Sequence, residues 1–323
     1  MGYIFDALKR AKDVGSASRE PGPEVSAPAP TPTPVQSPTA HLVGTAADQA
    51  AARPLRLTEA LASHDDAAHA AGGITAQVIA LGEGIDDRVI GISDPSGVPA
   101  EEYRAIRTGI LARWHHKRNL VHTITSATPQ EGKTITSLNL GLSFAELRNR
   151  RTIVVEADLR LPQFANLLKL SEHAGLVDVL EDKAQLAQAI VQLEGSNLHL
   201  LTAGRRANNN AVQLLSSTSM AKLVKTLRHQ FDHVIFDTPP VVELADAGIL
   251  GALSDDVLMV VRMNRTPRTL VEQAIRTLSS YHAPVGGMIA TDQPRSQGRY
   301  RSYRYGYRYS DRYVNNQSIK EAA

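Results

Sequence analysis

The chain has 323 residues and a formal net charge of +2 at pH 7, which allows one large domain or two of ordinary size and excludes a polybasic nucleic-acid binder on net charge. The absence of cysteine excludes a disulfide scaffold, a cysteine-ligated zinc site, an iron–sulfur cluster and a thiol nucleophile. No apolar run is long enough to span a membrane, the opening MGYIFDALKRAKD is too charged for a secretory signal, and Asp6 stands where N-myristoylation wants Ser or Thr, so a cytoplasmic protein is expected.

Residues 1–14 set Ile4, Phe5, Leu8 and Ala11 on one helical face and Lys9, Arg10 and Lys12 on the other. Such a segment is amphipathic but too short to be a stable helix alone. Residues 15–75 read as a disordered linker. Its run PGPEVSAPAPTPTPVQSP supplies few amide donors and fixes φ at each proline, so neither helix nor sheet runs through it. From 76 to 294 short β-branched runs alternate with helical patterns. Strands are predicted over 121–125, 152–156, 198–201, 233–237, 257–262 and 288–291, and helices over 134–147, 220–229, 245–253 and 270–278. This alternation predicts an α/β fold, a doubly wound and mostly parallel sheet with right-handed crossovers. Several strands are near-continuous Val/Ile/Leu runs, as strands covered on both faces are. Residues 295–323 have no hydrophobic periodicity and read as a disordered Arg/Tyr-rich tail.

The first of those strands runs into SATPQEGKT, residues 126–134, and then into a helix. This is the context of a P-loop. Ser126, Thr128, Gln130, Glu131 and Gly132 form the loop, whose backbone amides and following helix N-terminus cradle nucleotide phosphates. Lys133 is placed to reach the β- and γ-phosphates of ATP, and Thr134 to put its hydroxyl on Mg²⁺. Ala127 replaces the first glycine of the usual pattern. The second strand ends VVEADLR, where alternation sets Glu156 and Asp158 on one side, so that both are candidates to hold hydrated Mg²⁺ or to accept a proton. The strand HVIFD, followed by TPP, ends in Asp237. That is a Walker B pattern, with its acid at the sheet edge where open α/β folds bind ligands.

Taken together these motifs resemble the bacterial tyrosine kinases of capsule and exopolysaccharide synthesis, P-loop proteins related to the MinD/ParA ATPases. The resemblance covers roughly residues 85–295 and the tail. Residues 126–134 are similar to the family's Walker A, 153–160 to its extra Walker A′ (D-x-D-x-R, matched by Asp158 and Arg160, with Glu156 in place of the first Asp), and 234–240 to its Walker B. EEYRAIR matches E-x-x-R-x-x-R through Glu101, Arg104 and Arg107, which in the family dock on a neighbouring subunit and build a ring. Segments 175–180 and 208–217 also look alike. Gln130 stands where Gly is usual, Thr291 where the last strand often ends in Asn, and Thr128 where MinD/ParA proteins carry a signature Lys. The resemblance implies ATP and Mg²⁺ as cofactors, with Lys133, Glu156, Asp158 and Asp237 catalytic, Thr134, Asp158 and Asp237 on the metal, and Arg160 on the phosphates. It also implies a membrane polysaccharide co-polymerase as activator, recruitment to the inner face of the plasma membrane, and a tyrosine phosphatase as counterpart.

In the tail, Tyr300, Tyr303, Tyr305, Tyr307, Tyr309 and Tyr313 alternate with Arg. They are expected as autophosphorylation sites, since tethering raises their concentration at a neighbour's active site and each phosphate adds about −1.5 to −2 charges. Single-stranded nucleic-acid binding through Arg and stacked Tyr is the competing reading, as is a plain solvated tail. No other basic patch is visible along the sequence, and no nucleic-acid partner is expected. The main alternative for the whole chain is a non-kinase P-loop ATPase acting as a switch or scaffold in polysaccharide export.

Overall fold

Strand ends that finish level with one another set the architecture of this protein. The computed structural model describes residues 76–207 and 210–292, all within one unit spanning Asp66–Ala323. The expectations for residues 1–14, for the linker up to 75 and for the tail lie outside the described residues. In chain order the elements are β1 (Gln77–Ile79), α1 (Ile90–Ser93), α2 (Val98–Arg113), β2 (Leu120–Ser126), α3 (Lys133–Ala145), β3 (Thr152–Glu156), α4 (Phe164–Leu168), α5 (Leu176–Leu180), α6 (Leu186–Ala189), β4 (Val191–Leu193), β5 (Leu198–Leu201), α7 (Ala211–Leu215), α8 (Thr218–Gln230), β6 (His233–Asp237), α9 (Asp246–Gly251), β7 (Asp256–Arg262), α10 (Arg268–Ser280) and β8 (Val285–Thr291).

The eight strands form one sheet in the order β1-β4-β5-β3-β6-β2-β7-β8. From β5 to β8 every neighbouring pair is parallel; β4 lies antiparallel to β5, and β1 pairs parallel with β4. This is the doubly wound, mostly parallel α/β sheet expected. All six predicted strands and all four predicted helices are present. β1 and β4, of three residues each, are additions on the antiparallel edge.

Alternation of side chains sends neighbouring residues of a strand to opposite cores. Ile153, Val155, Val234 and Phe236 pack with α5, α7 and α8 on one face. Val154 and Ile235 pack with Leu138, Leu140 and Phe144 of α3 and with Ile110 of α2 on the other. A smaller cluster seats Ala274 and Leu278 of α10 on Val257 and Met259 of β7. Helix α3 lies close to the sheet because Gly141 faces β3: a Cβ there would sit 2.3 Å from Val154 Cγ2. In the register, Ile124 and Glu156 both lie opposite Asp237. Strands β2, β6 and β3 therefore finish side by side at one edge.

Candidate active site

The loop after β2 turns back on itself through two left-handed residues, Gln130 (φ 62°) and Gly132 (φ 96°). The left-handed region disfavours a side chain, which gives a physical reason for Gly at position 130 in related loops. Helix α3 then starts at Lys133 with no side-chain cap, so its first N–H groups are left for an anion. The loop is braced from within and from outside. Ser126 Oγ donates to the Thr128 carbonyl at 2.6 Å, and Glu131 Oε1 accepts from the Thr128 N–H at 3.0 Å and from its hydroxyl at 2.5 Å. From the far end of β8, Thr291 Oγ1 donates to the Glu131 carbonyl at 2.8 Å. The Glu131 carboxylate thus braces the loop, leaving its backbone N–H for the cradle.

Asp237 is fully buried at the end of β6. Ser137 Oγ donates to its Oδ1 at 2.9 Å, and the Thr134 hydroxyl and the Lys133 charge also act on it. Burial pushes its pKa up to about 7, against the pull of Lys133, Thr134 and Ser137, while nearby Glu156 pushes it the same way as burial. The TPP turn after it is stitched to β2: Thr238 Oγ1 donates to the Ile124 carbonyl at 2.7 Å, and Thr125 Oγ1 to the Pro239 carbonyl at 2.8 Å.

Glu156 ends the adjacent strand, yet both its oxygens are occupied by backbone. Oε1 accepts from the N–H of Gln163 and, at 2.7 Å, from Phe164; Oε2 accepts from Ala203 at 2.9 Å. Burial raises its pKa, against these three donors. Asp158 is half-buried and, among the described residues, accepts the Leu161 N–H on Oδ1, at 3.0 Å. Arg160 pairs with the buried Asp246, Nε to Oδ2 at 3.0 Å. On α2, Glu101, Arg104 and Arg107 do meet, within one cluster. Arg104 bonds Glu101 at 2.5 Å and Glu146 at 2.6 Å, and Arg107 bonds Glu146 at 2.9 Å.

The structure therefore gathers Lys133, Thr134, Asp237 and the loop residues at one point, leaves Asp158 half-buried two residues beyond Glu156, and holds Glu156 and Arg160 in bonds of their own. Tyr300, Tyr303, Tyr305, Tyr307, Tyr309 and Tyr313 lie outside the described residues. Sequence reasoning missed Ser137, which the helical i+4 spacing from Lys133 places on the same face, and Asp246, which no motif marks.

Comparison with known proteins agrees with this geometry. The family profile described as an AAA domain matches residues 129–284. The tyrosine-protein kinase YwqD of Bacillus subtilis (strain 168) is 33% identical over 226 residues, covering 70% of this chain and 93% of that protein. The succinoglycan biosynthesis transport protein ExoP of Rhizobium meliloti (strain 1021) is 28% identical over 255 residues, 75% of this chain but only 32% of that longer protein. Among solved structures, the kinase domain of the Escherichia coli tyrosine kinase ETK superposes with a TM-score of 0.59 at 25% identity, covering 70% of this chain and 94% of that one. With 33% identity running over 93% of the Bacillus kinase, and a P-loop, a Walker B acid and the intervening DLR at its own strand ends, the chain belongs to the family of bacterial tyrosine-protein kinases.

Proposed function

We propose that this chain is an ATP-dependent protein-tyrosine autokinase that modifies Tyr300, Tyr303, Tyr305, Tyr307, Tyr309 and Tyr313 of its own tail, in trans between copies in a ring. The observation that carries the reading is the convergence of an uncapped helix N-terminus, Lys133, Thr134 and Asp237 at the level ends of three strands. Free amides and a lysine suit the phosphates of ATP. The oxygen donors Thr134, Asp158 and Asp237 suit Mg²⁺, a hard cation, which when bound neutralises charge on the β- and γ-phosphate oxygens.

In this scheme Lys133 and the loop amides stabilise charge on the γ-phosphoryl group as it passes to the tyrosine Oη and ADP leaves. The phenol has an ordinary pKa near 10, so its proton must be taken as the bond forms. Asp158 is the group assigned to take it, since its carboxylate has acceptor capacity left while both oxygens of Glu156 hold backbone amides. Glu156 then acts by fixing the loops on either side of Asp158. Arg160 is proposed to reach the phosphates by leaving Asp246.

The test is incubation with ATP and Mg²⁺, followed by peptide mass spectrometry of the tail. Phosphate on the tail tyrosines of the wild type and none on Lys133→Ala is expected. ATP hydrolysis with an unmodified tail would instead point to the ATPase switch. Transfer in trans is read by mixing full-length Lys133→Ala with an active, tail-less protein; an unmodified mutant tail would reject it.

The biological setting proposed is control of exopolysaccharide or capsule polymerisation and export. The Rhizobium relative, a succinoglycan biosynthesis transport protein by name, supports it. None of the described helices is long and apolar enough to cross a membrane. Recruitment to the inner face of the plasma membrane is therefore assigned to a co-polymerase-type partner, with residues 1–14 as the docking segment and a tyrosine phosphatase resetting the tail.

A further inference from the structure

The edge of the sheet opposite the P-loop collects charge that the sequence scatters. Because β3, β6, β2 and β7 are parallel neighbours, the segments that precede them all emerge at that edge. Between α2 and β2 the chain reads RWHHKRN (113–119), and between α3 and β3 it reads LRNRR (147–151). Before β6 comes the end of α8 with Arg228 and His229. Arg113, Lys117, Arg118 and Arg148 are exposed.

The acids of this edge are turned inward and already used. Asp232 accepts from Arg150 at 3.2 Å, Asp255 from Arg228 at 2.7 Å and from Lys117, and Asp256 from the Trp114 indole at 2.9 Å and from His122 at 2.6 Å. None of their side chains is more than 7% exposed. They lock the segments together beneath the surface; Glu146, at the end of α3, is the exposed carboxylate of those connections and is bonded to Arg104 and Arg107. His115 and His116 stand exposed beside Trp114, with ring centroids of Trp114 and His116 at 5.8 Å.

We infer that this edge is an electrostatic docking surface for an anionic phospholipid bilayer. The charge is spread over the starts of three neighbouring strands, β3, β6 and β2, about 10 Å at the usual strand spacing. It is borne on helix ends and short loops rather than along a helix face of the kind that enters a nucleic-acid groove. A shallow array of Lys and Arg with an indole at its margin is the arrangement that anionic membrane surfaces attract. The seven-residue strands β2 and β7 put the P-loop edge about 20 Å away, so lipid contact here leaves the nucleotide site facing outward. This goes beyond recruitment by a protein partner, and its test does not depend on phosphotransfer.

The experiment is vesicle flotation of the full chain without nucleotide, on phosphatidylcholine alone and on phosphatidylcholine mixed with phosphatidylglycerol. Binding to the anionic vesicles only, weakening as salt rises, is expected. The variant Arg113→Ser/Arg118→Ser/Arg148→Ser leaves in place Arg150 on Asp232 and both Lys117 and Arg228 on Asp255, and keeps the tail. It should lose affinity on the order of a hundredfold, while lysines at the same three positions restore binding. A thermal melt like that of the wild type shows that the serine variant is folded, and Arg148→Ser alone should show a smaller loss in the same direction. Equal binding of wild type and serine variant overturns the inference, as does a wild type that ignores anionic vesicles but binds an RNA oligonucleotide through these residues.

Discussion

Asp237 makes the protein's stability depend on pH in a way that one substitution removes. Its pKa is raised from 3.8 to about 7 by burial. In the unfolded chain it is ionised above about pH 4, whereas in the folded chain it keeps its proton until near pH 7. The folded state therefore binds more protons across that window, and the contribution of Asp237 to stability falls as pH rises from 4 to 7, then levels off. At about 1.4 kcal/mol per pKa unit, the loss between pH 5 and pH 8 is about 2–3 kcal/mol. Asn keeps the shape and can still accept from Ser137, but does not titrate. Urea denaturation without nucleotide or Mg²⁺ should show Asp237→Asn close to wild type at pH 5 and more stable by about that amount at pH 8. The difference between the two proteins reads Asp237 together with its coupling to Lys133 and Glu156. Parallel pH dependences would refute the reasoning. The same variant should be inactive in phosphotransfer at both pH values, because the group proposed to hold Mg²⁺ has lost its charge.

Other perturbations follow from named contacts. Gln130→Val puts a β-branched residue at φ 62° and should lower stability by about 1–2 kcal/mol, whereas Gln130→Gly should not; thermal melts decide. Thr291→Val removes the donor to the Glu131 carbonyl and should raise KM for ATP severalfold with a small change in kcat, while Thr291→Ser retains both values; an unchanged KM in the Val variant would count against the brace. Glu156→Ala strips the acceptor from three backbone N–H groups and should destabilise by at least about 3 kcal/mol, a loss read by urea denaturation.

The strands that build the site were legible because burial on both faces leaves a continuous apolar run, as in 153–155 and 234–236, ending in an acid. β1 and β4 carried no such signal. Each is three residues long, β1 at the edge and β4 next to it, and its pairing depends on chain brought in from elsewhere. The P-loop was readable from Gly132, Lys133 and Thr134, since the chemistry needs those residue types in that order. What Glu156 touches was not, because its partners Gln163, Phe164 and Ala203 supply backbone groups and reach it only after two loops have folded over β3. The pairing of Arg160 with Asp246 was hidden for the same reason, their separation in the chain being 86 residues. The basic edge escaped detection because its charges come in small groups that only a parallel sheet brings level.

The cluster on α2 bears on assembly. Arg104 and Arg107 already share Glu146 within one protomer. Were these guanidiniums to meet carboxylates on a neighbouring copy, each new ion pair would replace an old one, and the number of satisfied charges would not change. Such an exchange is close to neutral in free energy, as partly exposed pairs contribute little in either setting. The arginines would then fix which surfaces meet and in what orientation, while the strength of a ring would come from whatever apolar area closes around them. An assembly balanced in that way dissociates readily, and a small bias from bound nucleotide or from charge added to the tail is enough to tip it.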